Sequence, residues 1–233
     1  MLKRHIDEAI QKGAKYVVID VDNTITKSNI LELYLFLKSR SFKTNYRYYL
    51  WLIFFAVTQV PLYIVLDFLN RDWFQRFFYR SYRKNSLKEL ERYSEELFET
   101  KLVLKFIEEI HDLIFYLKSK NVKVELLSTS IEPVVKQYGH YFGVPFVGLK
   151  VLEDNNRLRV DCSSNKDFKL NHIKKYNQEN TIAIADSKHD LKMLNYVDYP
   201  IVVCSREKGW FKKLNKKPFI VKPKIRKLNQ VKI

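Results

Sequence analysis

The chain has 233 residues, 46% of them hydrophobic and 29% charged, which is enough to bury a substantial core and excludes a disordered or fibrous protein. Its formal net charge of +16 favours polyanions, whether nucleic acid or the anionic face of a membrane. Two cysteines, Cys162 and Cys204, have no metal-ligand spacing; they fit buried thiols in a reducing cytoplasm better than a disulfide framework.

In chain order, MLKRHIDEAIQKGAK is charged throughout and lacks the apolar core of a secretory signal, so a short amphipathic helix is expected there. YVVIDVDNTIT, residues 16 to 26, follows as a β-branched apolar run ending in Asp20 and Asp22. Alternate strand residues share a face, so the two carboxylates point the same way. Held close they repel, and burial of either is costly without a cation or a proton. The chemistry that wants them is a carboxylate nucleophile, a second carboxyl group shuttling a proton, and a divalent metal. A plain alternative is an Asx turn closed by Asp22 and Asn23, leading to a helix capped by Thr24 or Thr26.

Residues 28 to about 100 carry one stretch of helical periodicity after another. Within them, Tyr48 to Leu66 pass nineteen residues without a formal charge, just within reach of a bilayer span. Lys43 and Arg47 flank this segment on one side, and Arg71, Arg76 and Arg80 on the other. Tyr48, Tyr49, Trp51, Tyr63, Phe68 and Trp73 cluster toward its ends, as at a membrane interface. Pro61 disfavours helix in the residue before it, so a helical hairpin broken between Thr58 and Pro61 is expected in preference to one span. Such a pair, dipping into one leaflet, keeps both flanks on one side of the membrane. Core of a helical domain and a dimer interface are the alternatives, but LWLIFFAV lacks the polar face that a packed surface helix shows.

Residues 102 to 119 are expected to form the helix leading back to the core. VKVELLSTS, residues 122 to 130, then reads as a buried strand ending in Ser128, Thr129 and Ser130. GLKVLEDNNRLRVDC reads as a β-hairpin turning near Asn155 and Asn156. NKDFKLNHIKKY is a loop entering a basic helix, with Lys166 and Lys169 in it, and TIAIADSKHD is another apolar strand, ending in Asp186 with Asp190 four residues on. PFIVK is the expected last strand, and residues 223–233 form a basic, partly disordered tail. Ligands of open α/β sheets sit beyond the carboxyl ends of the strands, so these polar clusters converge on one crevice.

DxDNT at 20 to 24, Ser128 closing a core strand, Lys169, and DSxxD at 186 to 190 resemble, in order and spacing, the four motifs of the haloacid dehalogenase superfamily. The match spans roughly residues 15 to 205, and the long insertion after the first motif is similar to the helical-cap subclass that includes phosphoserine phosphatase. The resemblance implies an α/β fold: a Rossmann-like parallel sheet flanked by helices, formed by residues 1–27 and 101–222, with an all-helical C1-type cap at 28–100. It implies that Asp20 attacks phosphorus and becomes an aspartyl phosphate, while Asp22 acts as general acid and then base. Thr24, Ser128 and Thr129 contact the phosphoryl group, and Lys169, preferred over Lys166 because it directly precedes the apolar-periodic LNHI, offsets its charge. Mg²⁺ is implied on Asp20, the Asp22 backbone carbonyl, Asp186 and Asp190.

Some positions depart from the family or carry a plainer reading. Asn23 stands where glycine is usual, but asparagine tolerates the left-handed backbone. Ser187 is read as an N-cap and His189 as a surface histidine. Phosphoserine-specific members carry a glutamate nine positions after the nucleophile, and Asn29 stands there instead. The apolar, basic cap resembles in composition the membrane-associated phosphatases of phosphatidylglycerophosphate and related lipids. The leading expectation is a Mg²⁺-dependent phosphomonoesterase acting on a lipid or polyprenyl phosphate, peripheral or monotopic at the inner, anionic face of the membrane. A soluble phosphatase for a small polar metabolite and a non-catalytic membrane or nucleic-acid module are the alternatives. No nucleic-acid partner is expected, since no recognised binding motif is present. Oligomeric state is left open.

Overall fold

A computed structural model describes residues 1–154, 157–162 and 167–226. Helix α1 (Leu2–Gln11) leads into strand β1 (Tyr16–Ile19), and four helices follow: α2 (Leu31–Ser41), α3 (Asn45–Leu69), α4 (Arg71–Tyr79) and α5 (Leu87–Leu97). Then come α6 (Glu108–Ser119), β2 (Lys123–Ile131), α7 (Glu132–Phe142), β3 (Phe146–Leu149) and the hairpin strands β4 (Val151–Asp154) and β5 (Arg157–Val160). The chain closes with α8 (Phe168–Ile173), β6 (Thr181–Ala185), α9 (Leu191–Tyr196), β7 (Tyr199–Val203) and β8 (Phe219–Val221).

Six strands pair in parallel in the order β3-β2-β1-β6-β7-β8. Helices cover both faces, which is why β1 and β6 are almost uniformly apolar and buried rather than alternating. Because β1 lies between β2 and β6, connections leave it toward both edges, and this reversal opens a crevice at the carboxyl ends of the strands. β2 makes its last regular pairs with β3 at Leu126 and Leu127 and rejoins it only at Ile131. Ser128, Thr129 and Ser130 fall in this bulge, which turns them off the ladder. Gly148 makes the close approach possible: a Cβ there would lie 2.8 Å from the Glu132 Cα and 3.0 Å from the Ser130 carbonyl oxygen.

The inserted helices α2 to α5 share an aromatic core in which Phe78 meets the rings of Tyr34, Tyr63, Phe74 and Tyr82. Two connections, 25–27 and 105–107, join the insertion to the sheet side by side. Ile107 N–H donates to the Ile25 carbonyl at 2.8 Å, and Lys27 N–H donates to that of Lys105 at 2.9 Å. The return helix begins at Glu108, later than the expected residue 102, because residues 98–105 wind as a π turn and a 3₁₀ turn.

The expected break between Thr58 and Pro61 is not found: α3 is one helix with Pro61 inside it. Phe55 and Tyr63, on either side of the proline, are both buried and touch each other at a centroid distance of 6.0 Å. Packing of both halves on one aromatic core therefore outweighs the hydrogen bond that proline removes. Nor is α3 the core of a helical domain, since only 11% of its most apolar 18-residue window is buried. By length and composition it is the one described helix able to cross a membrane.

The hairpin appears as read, with β4 and β5 antiparallel from Val151↔Val160 to Asp154↔Arg157; its turn at Asn155 and Asn156 lies outside the described residues. In the tail, Arg226 N–H donates to the Phe106 carbonyl at 2.9 Å; residues 227–233, and with them most of the expected partly disordered tail, lie outside the described residues.

Helix α8 is only six residues long, yet it carries Lys169. Glu125, buried on β2, anchors its carboxyl-terminal end. That carboxylate lies 2.9 Å from His172 Nε2 and accepts from Lys175 Nζ and Tyr176 Oη, each also at 2.9 Å. Burial opposes ionisation of Glu125, but the bonds from His172, Lys175 and Tyr176 outweigh it and bring its pKa down to about 2. A folded-state pKa below the unfolded one means stability fully present above about pH 4.5 and lost as pH falls toward 2. Glu125→Gln is expected to cost on the order of 2–3 kcal/mol at neutral pH. In urea titrations the gap between wild type and variant should close between pH 4.5 and 2; a gap independent of pH would refute the role of the charge.

Candidate active site

The β1 strand ends by delivering Asp20 and Asp22 into the crevice. Asn23 takes φ of +55°, as its tolerance of left-handed backbone allows, and the Thr24 and Ile25 amides fold back on the Val21 carbonyl at 3.2 and 2.9 Å. No helix starts at Thr24 or Thr26; the next begins at Leu31, whose N–H donates to Asn29 Oδ1 at 2.9 Å. One cavity of about 850 Å³ is lined by Asp20, Asp22, Ser128, Thr129, Lys169, Asp186 and Asp190. Residues spread over 170 positions of sequence thus meet at the ends of three adjacent strands and one short helix.

Asp20 is held by both oxygens. Lys169 Nζ donates to Oδ1 at 2.5 Å, and Thr24 Oγ1 donates to Oδ2 at 3.1 Å. Thr24 is fully buried beneath the carboxylate and does not line the cavity. Lys169 also donates to Asp190 Oδ1 at 2.5 Å, while Ser187 Oγ donates to Asp190 Oδ2 at 2.9 Å. Ser187 therefore spends its hydroxyl on a carboxylate, not on the helix amide expected of an N-cap. Lys166 lies outside the described residues.

Asp20, Asp186 and Asp190 each offer an oxygen, all within 4.8 Å of one another. Burial first, and then the charges of Asp190 and Asp186, push the Asp20 pKa up to about 8 against the pull of Lys169. Asp186 rises to about 6, again through burial and then Asp190. Burial opposes the Lys169 charge too, but Asp190 and Asp20 prevail and raise its pKa. Three carboxyl groups thus share one ammonium, and the uncompensated negative charge is borne by oxygen donors alone. That donor set fits a hard divalent cation.

Asp22 is oriented differently. Ser28 Oγ donates to its Oδ1 at 3.1 Å, and Ser130 Oγ donates to its Oδ2. Neither serine was assigned a role from sequence. Ser130 shares strand parity with Ser128, which is a legible signal; Ser28 carries none. Ser128 Oγ accepts the Ser130 N–H at 3.0 Å, shaping the bulge from within. The Thr129 carbonyl accepts from Tyr79 Oη of α4 at 2.7 Å, tying the helical insertion to the site.

The other wall of the cavity comes from the insertion: Asn29, Val60, Tyr63, Ile64, Asp67 and Arg71 are among its residues. Arg71 Nη1 pairs with Asp67 Oδ1 at 2.7 Å, and His189 Nε2 lies 4.0 Å from Asp67 Oδ2. His189 is exposed, as read from the sequence, and its exposed side chain also lines the cavity, facing the insertion. Burial and then Arg71 lower its pKa, with Asp67 opposing.

The family model of haloacid dehalogenase-like hydrolases matches residues 17–195. No curated protein matches the sequence. Among solved structures, a protein of unknown function from Bordetella pertussis Tohama I is similar, with TM-score 0.70 and 13% identity, over 88% of this chain and 98% of that one. A substrate-bound phosphoserine phosphatase is similar with TM-score 0.59 and 13% identity, over 88% and 92% of the two chains. A phosphoserine phosphohydrolase-like protein from Francisella tularensis subsp. tularensis SCHU S4 gives TM-score 0.60 and 18% identity, over 89% and 94%. At such identities the likeness establishes a shared fold.

Proposed function

The chain belongs to the haloacid dehalogenase-like hydrolases, and from that membership we propose that it is a Mg²⁺-dependent phosphomonoesterase acting on a lipid or polyprenyl phosphate at a membrane surface. The observation that carries the chemistry is the convergence of Asp20, Asp22, Ser128, Lys169, Asp186 and Asp190 on one cavity. The carboxylates of Asp20, Asp186 and Asp190, with the Asp22 backbone carbonyl, would hold Mg²⁺, which when bound neutralises charge on the phosphoryl oxygens.

A carboxylate oxygen of Asp20 attacks phosphorus, and the bond to the leaving alkoxide breaks as Asp22 gives that oxygen a proton. Thr24 and Lys169, one on each Asp20 oxygen, fix the plane of the nucleophile before substrate arrives. In the second half Asp22, now a carboxylate, takes a proton from water, whose oxygen attacks the aspartyl phosphate and releases inorganic phosphate and Asp20. Ser28 and Ser130 keep Asp22 aimed through both halves. Ser128 and the Thr129 amide would receive the equatorial phosphoryl oxygens, where preorganised donors contribute most.

Helix α3 supports a membrane setting. Leu50, Ile53, Phe54, Val57, Val65 and Phe68 are each at least half exposed, a run of exposed apolar side chains of the kind that marks a membrane or partner surface. With Lys43 just before the helix and Arg47 in its first turn, it supplies both apolar insertion and attraction to anionic lipid. Because Phe55 and Tyr63 hold both halves of α3 to one aromatic core, the helix lies along the surface of the insertion, which suits an in-plane position and not a crossing. The likeness to phosphoserine phosphatases favours a second reading, a small polar ester, and the two diverge in substrate preference.

Phosphate release should be Mg²⁺-dependent, abolished by EDTA, and faster from phosphatidylglycerophosphate, phosphatidic acid or polyprenyl phosphate in vesicles than from phosphoserine or an aryl phosphate. Preference for the soluble esters would establish the second reading. Asp20→Asn should lower turnover at least about 10⁴-fold with unchanged circular dichroism; retained turnover would sink the mechanism. Asp186→Asn should raise the melting temperature of the metal-free protein at pH 8 by relieving repulsion and shrink the further rise on adding Mg²⁺. Ile53→Asp should reduce co-sedimentation with anionic vesicles at least tenfold without lowering the melting temperature, and high salt should weaken wild-type binding in the same assay.

A further inference from the structure

Residues Val60, Tyr63, Ile64, Asp67 and Phe68 of α3 all line the cavity. Their spacing, three then one then three then one, is that of a single helical stripe. Exposure along the stripe is graded. Tyr63 is 5% exposed, whereas Ile64 is 63% and Phe68 80% exposed. Ile64 and Phe68 therefore belong at once to the cavity wall and to the exposed apolar face. Val65 and Leu69, their neighbours on the outside, are 53% and 64% exposed, so the apolar surface runs over the rim without a polar break on this side.

Deeper in, the chemistry changes. Asp67 on the same stripe pairs with Arg71 and approaches His189, the neighbour of Asp190. A ligand entering over α3 thus meets hydrocarbon first, an ion pair next and the carboxylate cluster last. A small polar phosphate ester has no use for an exposed Ile64 and Phe68 at the mouth of its site. A phosphate attached to a hydrocarbon chain matches that order of surfaces.

Resting on the lipid-phosphate reading above, we propose that Ile64 and Phe68 form an apolar sill over which the substrate enters sideways from the bilayer. The hydrocarbon chain stays on the sill and in the membrane while the phosphate reaches Asp20. Occupancy by lipid is favoured over a second copy of this chain by the surrounding charge. Arg71, the first residue of α4, and Lys188 and Lys192 line the cavity, and the chain as a whole carries +16, an arrangement that repels its own copy and attracts an anionic surface.

The test uses n-alkyl monophosphates of four to ten carbons, kept below their micellar concentrations so that no membrane is involved. For wild type, KM should fall about twofold or more with each added pair of methylenes as the chain covers the sill. In Phe68→Asp and in the milder Ile64→Ser this dependence should flatten, while Ile53→Asp, on the same helix but off the cavity wall, keeps the wild-type slope. An unchanged slope in both sill variants, with wild type still cleaving vesicle lipid, would overturn the sill and leave the lipid reading standing. No chain-length dependence in wild type together with preference for phosphoserine would overturn both. Sedimentation showing a dimer that Phe68→Asp dissociates would assign the surface to a second copy and refute the proposal.

Discussion

Three carboxyl groups, Asp20, Asp186 and Asp190, are brought within 4.8 Å of one another in a largely buried setting with one lysine to balance them. Left alone this cluster is unfavourable, since burial and mutual repulsion both penalise the charged forms. The pKa values of Asp20 and Asp186 rise accordingly. Much of the remaining architecture can be understood as what is needed to hold it. The parallel sheet supplies rigid strand ends, the reversal at β1 supplies the crevice, and Thr24, Ser187 and Lys169 take up individual carboxylate oxygens.

Support for this cluster comes from a distance. Lys169 is on a helix too short to be stable by itself, and its position depends on Glu125, whose three partners all come from residues 172 to 176. Because Glu125 lies on the same strand as Ser128, Lys169 and the Ser128–Ser130 bulge are referenced to one element. Tyr79 performs the corresponding service from the helical insertion by bonding the Thr129 carbonyl. The cavity is therefore closed by contacts that register both of its walls on β2.

Helix α3 stands apart from this economy. Its fold context resembles that of enzymes named for a polar amino-acid ester, yet most of its apolar surface is not used for packing. Phe55 and Tyr63, buried on either side of Pro61, with Trp51, Val60 and Leu66 packed partly against the same core, keep the helix continuous through the proline. Hydrophobic area left open in this way costs solubility, and it is retained where a lipid phase or a partner covers it. That area is continuous with the cavity mouth through Ile64 and Phe68, which are exposed and line the cavity.

The motifs DxDNT, Ser128, Lys169 and DSxxD, and the α/β class, were legible because strand parity, apolar runs and ordered polar clusters are local properties of the chain. The left-handed turn at Asn23 was legible for the same reason. Ser28 and Ser130 as partners of Asp22, the Glu125 anchor, and His189 facing Asp67 were not, because each joins residues far apart in sequence through distances that only packing sets. The continuity of α3 was misjudged on a local rule. Proline weakens a helix by removing one bond, and only the tertiary structure decides whether aromatic contacts on both sides outweigh that loss.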